Sequence, residues 1–266
     1  MLELYHSVNS VCAQKVRVVL AEKGLEYRNR LMSLRGDQFA PEYMKLNPNA
    51  VVPTLVHDDR PVIESSVILY YLDEAFPTPP LMPQELHERA AVRAFNKLVD
   101  EYVHNSCTIL TFATAFRPWF AGLSGEEIEA RLAKSPSRQR TEYKRDVALK
   151  GLDSRYVRDA LGHHQKLLKM MDASLERGAW LAGDGFSLAD AAVIPYILRL
   201  DLLRMAGIWE GKPRITAWYA RMRERPSVKK ELLERMTPED HAPFRNLEPD
   251  PWPAVRKLLA RSAAPL

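Results

Sequence analysis

The sequence predicts an α/β unit over residues 1–80 followed by an all-helical unit over residues 85–266. Three observations point there. Strand-like and helical stretches alternate up to about residue 80, and helical periodicity takes over beyond it. A proline cluster, Pro77-Thr78-Pro79-Pro80 with Pro83 close behind, marks the change. The chain has 266 residues, 46% of them hydrophobic, which is enough for a sizeable core without disulfide staples.

In the first unit, Leu2 to His6 is short, apolar and strand-like. Ser10 then precedes a helical pattern in which Cys12, Val16, Val19 and Leu20 share a face, and Lys23-Gly24 gives the stop. Tyr27 to Leu31 fits a second strand. A polar stretch follows, compatible with a helix. Thr54 to His57 reads as a strand, Asp58-Asp59-Arg60 as a turn, and Pro61 to Ile63 as the hairpin partner. Glu64-Ser65-Ser66 opens a helix with Val67, Ile68, Tyr71 and Leu72 on one face.

Composition excludes several classes. There are 38 Lys+Arg against 34 Asp+Glu, a formal charge of +4 that does not argue for nucleic acid. Cys12 and Cys107 are the only cysteines, too few for a disulfide scaffold or a cysteine-rich zinc module. His163-His164 point about 100° apart on a helix, with no ligand partner at metal spacing, so no metal site is expected. No signal peptide and no membrane-length apolar run are read, so the expected location is cytoplasmic.

Three features of the first unit carry chemistry. Ser10 stands where a helix starts; taken alone it is an N-cap, and the sharper reading is a hydroxyl aimed at a ligand on a positive helix end. Pro53 opens an apolar strand. A trans bond is favoured by frequency, whereas a cis bond would turn the Val52 backbone outward. Glu64-Ser65 precedes a helix. Ser65 or Ser66 reads singly as the cap, and the pair together suits an amino-acid-shaped ligand.

In this order and spacing, the chain resembles the cytosolic glutathione transferases of the serine type. Ser10-Val11-Cys12-Ala13-Gln14-Lys15-Val16-Arg17 is similar to the family's motif at the first helix. Asn47-Pro48 through Val52-Pro53-Thr54-Leu55 is similar to its Asn-Pro…Val-Pro stretch, and Glu64-Ser65 to its acidic-Ser pair. The resemblance implies a thioredoxin-like first domain with a cis Pro53. It also implies a catalytic Ser10 that stabilises the thiolate of glutathione, the co-substrate. Glu64 and Ser65 would then hold the γ-glutamyl end, Val52 and Pro53 the cysteinyl backbone, and Gln38 the glycyl end. Cys12 reads as a small buried hydrophobe in preference to a redox group.

Glu85 to Phe116 is one long periodic stretch. By resemblance Tyr102, His104, Thr108, Phe112 and Phe116 face a pocket for a small hydrophobic electrophile; by themselves the aromatics read as core. Residues 117–155 form a charged insertion, with seven basic and three acidic residues between Glu129 and Lys150. This insertion and the Asn9-Ser10 pair resemble the bacterial glutathione-dependent β-etherases, which places Asn9 among the binding residues. A solvated face is the default reading of the basic run; the sharper one is a rim that attracts anionic substrates. Further helices fit Tyr156 to Leu175, Ser187 to Met205 with a capping box at Ser187 and Asp190, and Pro213 to Arg225. A Pro-rich tail starts at Pro238, with surface wrapping as its default. The expected function is glutathione transfer, with β-aryl ether cleavage as one version. A zeta-like isomerase and a non-catalytic binding protein are the alternatives, and a homodimer is expected.

Overall fold

The computed structural model describes residues 1–262. Its first unit runs β1 (Leu2–His6), α1 (Val11–Glu22), β2 (Arg28–Leu31), α2 (Pro41–Leu46), β3 (Thr54–His57), β4 (Arg60–Val62) and α3 (Ser65–Ala75). The strands form one sheet in the order β2-β1-β3-β4, with β1 and β2 parallel and the other pairs antiparallel. This is the α/β unit expected from the sequence. The polar stretch is a single 3₁₀ turn, Asp37–Phe39, followed by α2. Asp58 and Asp59 both take positive φ (46° and 63°) and form the two-residue hairpin loop by themselves, so β4 starts at Arg60.

Register brings the candidate segments together. His6 at the end of β1 pairs with Leu31 at the end of β2, and Tyr5 pairs with Thr54 at the start of β3. Leu55 in turn pairs with Val62 at the end of β4. The loop before α1, the stretch leading to Gln38, the Val52-Pro53 peptide and the start of α3 therefore all lie at one end of the sheet.

One expectation about α3 is corrected. Its buried face is Ser65, Ser66, Ile68, Leu69 and Leu72, and Val67 is 52% exposed. Val67 lies about 100° around the helix from Ile68, which is fully buried.

The second unit contains α4 (Leu86–Leu98), α5 (His104–Ala113), α6 (Gly125–Leu132), α7 (Arg138–Lys150), α8 (Arg155–Leu175), α9 (Leu188–Leu202), α10 (Pro213–Glu224), α11 (Pro226–Val228), α12 (Pro238–Arg245) and α13 (Trp252–Ser262). A π-helical turn, Val99–Val103, separates α4 from α5. The expected single helix is thus broken by a wider turn that rephases everything after it. Helix α9 is buried along almost its whole length, Pro195 included. The capping box forms as expected. Asp190 accepts from the Ser187 N–H (3.0 Å) and also from the Leu181 N–H (3.1 Å) and Trp218 Nε1 (2.8 Å).

One continuous hydrophobic core runs through both units, and α1 packs against α9. Residues 117–155, the expected insertion, have a small core of their own, made of Phe120, Ile128, Leu132 and Ala148. Buried polar groups pin the units together. Lys15 donates to Ser66 Oγ (2.7 Å) and Asp100 Oδ1 (3.1 Å), and Arg17 donates to the carbonyl of Glu231 (3.0 Å).

The tail departs from the surface-wrapping default. Helix α12 closes over the loop before α1: Asn9 Nδ2 donates to the Asp240 carbonyl at 3.1 Å, and the Phe244 ring packs 5.8 Å from Phe116. The driving force is burial of Phe244, Leu247 and Val255 against the core.

Candidate active site

Ser10 is the N-cap of α1. Its Oγ accepts from the Ala13 N–H at 3.3 Å, so the hydroxyl proton stays available to a ligand. The cap role and the ligand role are therefore compatible. The residue before it is tightly held: Arg199 donates to the Asn9 carbonyl at 2.6 Å. Asn9 spends its amide N–H on Asp240, and its buried Oδ1 has no partner among the described residues. Asn9 thus anchors the tail as well as bordering the site.

The Val52-Pro53 bond is cis, against the frequency-based reading of the peptide taken alone. Tyr43 Oη and Asn47 Nδ2 both donate to the Val51 carbonyl, and both bond Thr54 Oγ1 (2.9 and 3.0 Å). These bonds hold the loop on both sides of Val52. The Val52 backbone has no hydrogen bond of its own among the described residues.

Neither serine caps α3. The N-cap is Glu64, at φ 68°, with no side-chain cap. Ser66 turns away, donating to Asn96 Oδ1 or Asp100 Oδ1, both at 2.9 Å. The first N–H groups of α3 are therefore uncapped beside the buried Ser65, and Glu64 accepts from Asn49 Nδ2 at 3.3 Å. Gln38 spends its carbonyl oxygen on the Gly36 N–H (3.1 Å), leaving its amide N–H₂ free.

Cys12 differs from the buried-hydrophobe reading. It is half-buried, with Sγ 3.3 Å from His104 Nδ1 and 3.7 Å from Tyr196 Oη. Burial pushes its thiol up. The charge and hydrogen bond of His104, the Lys15 ammonium and the Ser65 hydroxyl outweigh that and lower it to about 6. Helical periodicity put Cys12 on the apolar face, but that face meets the second unit at a polar spot. Cys107 is fully buried, and burial pushes its thiol up to about 11.

Among the expected electrophile-pocket residues, His104, Thr108 and Phe112 recur at i, i+4 and i+8 and are all half-exposed, forming one stripe along α5. Phe116 stacks on Trp119 at 3.9 Å and lies close to Phe112 (5.3 Å) and Phe244. Tyr102 does not join them. It is 39% exposed, 5.0 Å from the His163 ring and beneath the Lys166 ammonium. The π turn containing it shifts the phase extrapolated from α4, which is why periodicity misplaced it.

Two further basic side chains lie beside these residues. Arg199 is buried with no carboxylate partner among the described residues. It bonds Asn9 and Thr111 Oγ1 (3.3 Å) and lies 4.9 Å from the Phe244 ring centroid. Lys144 of the insertion sits 4.4 Å over the Phe112 ring, and burial with the nearby Arg140 charge lowers its ammonium to about 8. A lone Arg or Lys in a helical pattern has no sequence signature that separates it from a surface charge. Among the described residues no cluster of three metal-ligating side chains occurs, and no helix is long and apolar enough to cross a membrane.

A four-stranded α/β unit with this strand order and a serine at the first helix, packed on a helical unit, defines a two-domain, thioredoxin-like class of protein. The chain belongs to the glutathione S-transferase family. Residues 9–75 match the family model of the glutathione S-transferase N-terminal domain, and residues 140–226 that of the C-terminal domain. Glutathione is this family's co-substrate. Protein LigF of Sphingobium sp. is 28% identical over 248 residues, covering 90% of this chain and 95% of that one. The solved structure of the β-etherase LigF superposes with a TM-score of 0.76 at 26% identity, covering 86% of this chain and 98% of that one. Glutathione S-transferase Z1 of Arabidopsis thaliana is 47% identical over 90 residues, 34% of this chain. In that match the chain spans about two-fifths (41%) of the relative's length.

Proposed function

We propose that Ser10 donates its hydroxyl proton to the glutathione sulfur and holds it as thiolate. Glutathione lies along the open end of the sheet. Its γ-glutamyl carboxylate meets the uncapped N-terminus of α3 and Ser65, with Glu64 facing the ammonium. Its cysteinyl backbone pairs with Val52 as an added strand, and Gln38 reaches the glycyl end. The α1 dipole and the Ser10 hydrogen bond both favour the anion, lowering a thiol pKa from its usual ~8.5. The thiolate then attacks an electrophilic carbon of an aromatic substrate held along His104, Thr108, Phe112 and Phe116. In β-aryl ether cleavage, the C–S bond forms as the C–O bond breaks and phenolate leaves.

The observation that carries this reading is the convergence at one sheet end of a capping Ser10 with a free proton, an unpaired Val52 backbone and an uncapped α3. The similarity to LigF over nearly its whole length supports the ether-cleaving version. A second reading, glutathione-dependent isomerisation, is favoured by the higher identity to Z1 and by the Ser10-x-Cys12 spacing. A β-aryl ether and a maleylacetoacetate-type substrate, assayed side by side with glutathione, separate the two. Phenol release supports the first, cis–trans conversion the second. No retention on immobilised glutathione together with no turnover of any tested electrophile would sink both and leave a non-catalytic binding protein. A homodimer and a cytoplasmic location go with the enzymatic reading.

A further inference from the structure

The charges of the insertion are not all solvated or paired. Arg145 pairs with Glu129, Lys150 with Asp146 (2.7 Å) and Arg155 with Glu142 (2.6 Å). Arg117 and Arg131 donate to the carbonyls of Leu149 and Trp119. Arg140 and Lys144 form no ion pair among the described residues. They stand at i and i+4 on α7, where two like charges repel unless an anion intervenes.

Lys144 lies against the stripe of α5 directly, and Arg140 is linked to it through Tyr143. The Lys144 ammonium is over Phe112, and Arg140 lies against Tyr143, whose phenol also meets Thr108. The aromatic wall continues through Phe116 and Trp119. The other end of the stripe is His104, which touches Cys12 beside the start of α1. Eight residues of helix separate His104 from Phe112, about 12 Å at the usual rise.

We propose that Arg140 and Lys144 form an anion subsite that selects an aromatic electrophile bearing a carboxylate about 12 Å from its reacting carbon. The aromatic wall takes the rings and leaves the ammonium half-desolvated, where an aromatic face is a poor substitute for a carboxylate. This rests on the placement of the sulfur at Ser10 for its distance, but not for the existence of the subsite.

The test has two arms. In calorimetric titration without glutathione, a biphenyl carboxylic acid is compared with its neutral carboxamide. The wild-type chain should bind the acid at least tenfold more tightly. Lys144→Met, which keeps the stem on Phe112, should abolish the preference, and Lys144→Arg should keep it. In the kinetic arm, a distal-ring carboxylated aryl ether is compared with its carboxamide. Lys144→Met should raise KM about tenfold for the acid at unchanged kcat, and leave the amide alone. Equal binding of acid and amide by the wild-type chain overturns the subsite, as does an equal loss of both in Lys144→Met. Absence of turnover with every substrate would count against the Ser10 reading, while the titration still decides the subsite.

Discussion

The Sγ of Cys12 lies 3.3 Å from Nδ1 of His104, across the boundary between the α/β unit and the helical unit. The pair joins the first turn of α1 to the start of α5. Tyr196, whose phenol burial and Cys12 raise well above its ordinary value, stays protonated at neutral pH and can donate to the sulfur. The thiolate form is stabilised from both sides.

A direct consequence concerns alkylation. With the Cys12 thiol lowered from 9.0 to about 6, the thiolate predominates at pH 7 and reactivity is lost only as pH falls through about 6. Iodoacetamide labelling followed by mass spectrometry should modify Cys12 rapidly at pH 7 and leave the buried Cys107 untouched. His104→Ala should move the midpoint upward by at least one unit. A midpoint near 9 in the wild-type chain would contradict the pairing.

The observed cap role of Ser10 and its proposed donor role separate by substitution. Ser10→Ala removes both cap and donor, costing about 1 kcal/mol of stability and most of the activity. Ser10→Asp keeps the cap acceptor but has no proton to donate at neutral pH, and its charge repels the thiolate. Its melting temperature should match the wild type while kcat/KM falls at least a hundredfold. Activity surviving in Ser10→Asp would move the donor elsewhere. Cys12→Ala should keep turnover, because in the proposed reaction the attacking sulfur belongs to glutathione.

The tail is held by a tight contact at a residue without a side chain. A Cβ on Gly207 would come within 2.1 Å of the Trp252 ring. Gly207→Ala should therefore displace Trp252, exposing the tail to limited proteolysis and blue-to-red shifting part of the tryptophan emission. Since α12 bonds Asn9, the same variant should weaken electrophile binding. An unchanged digestion pattern would show that α13 docks without Trp252.

Acid should loosen the fold at two histidines. Burial is the first cause lowering both His6 and His164, from 6.5 to about 4; Arg17 adds to it for His6. Each contributes stability that is complete above about pH 6.5 and is lost as pH falls through about 4, because the unfolded chain binds the proton first. Each group accounts for roughly 3 kcal/mol across that window. Denaturant titrations at pH 7 and pH 4.5 should differ accordingly. Replacing His164 by Gln should remove about half of the dependence, His6 supplying the rest.

Much of the fold is legible in local patterns. The Asp58-Asp59 turn, the Ser187–Asp190 capping box and the apolar faces of α1 and α8 depend on neighbours within a few residues. Ser10 and Glu64-Ser65 are legible because helix starts are written locally, and the family motif orders them along the chain. Their convergence is a matter of strand register, which no local pattern encodes.

What the sequence determined by itself was the α/β-then-helical division, the family motif and the residue types of the candidate site. Tertiary structure alone decided the rest. It brought His104 and Tyr196 onto Cys12, 92 and 184 residues away, and changed a small hydrophobe into a stabilised thiolate. It set α12 on Asn9, 231 residues away, and left Tyr102 outside the α5 stripe behind a π turn. It also paired Arg145, Lys150 and Arg155 with carboxylates and set Lys144 over Phe112 instead. The physical reason is common to all of these. A side chain's pKa, exposure and partners are set by what lies within a few ångströms, and in this chain those neighbours come from the other unit or from the tail.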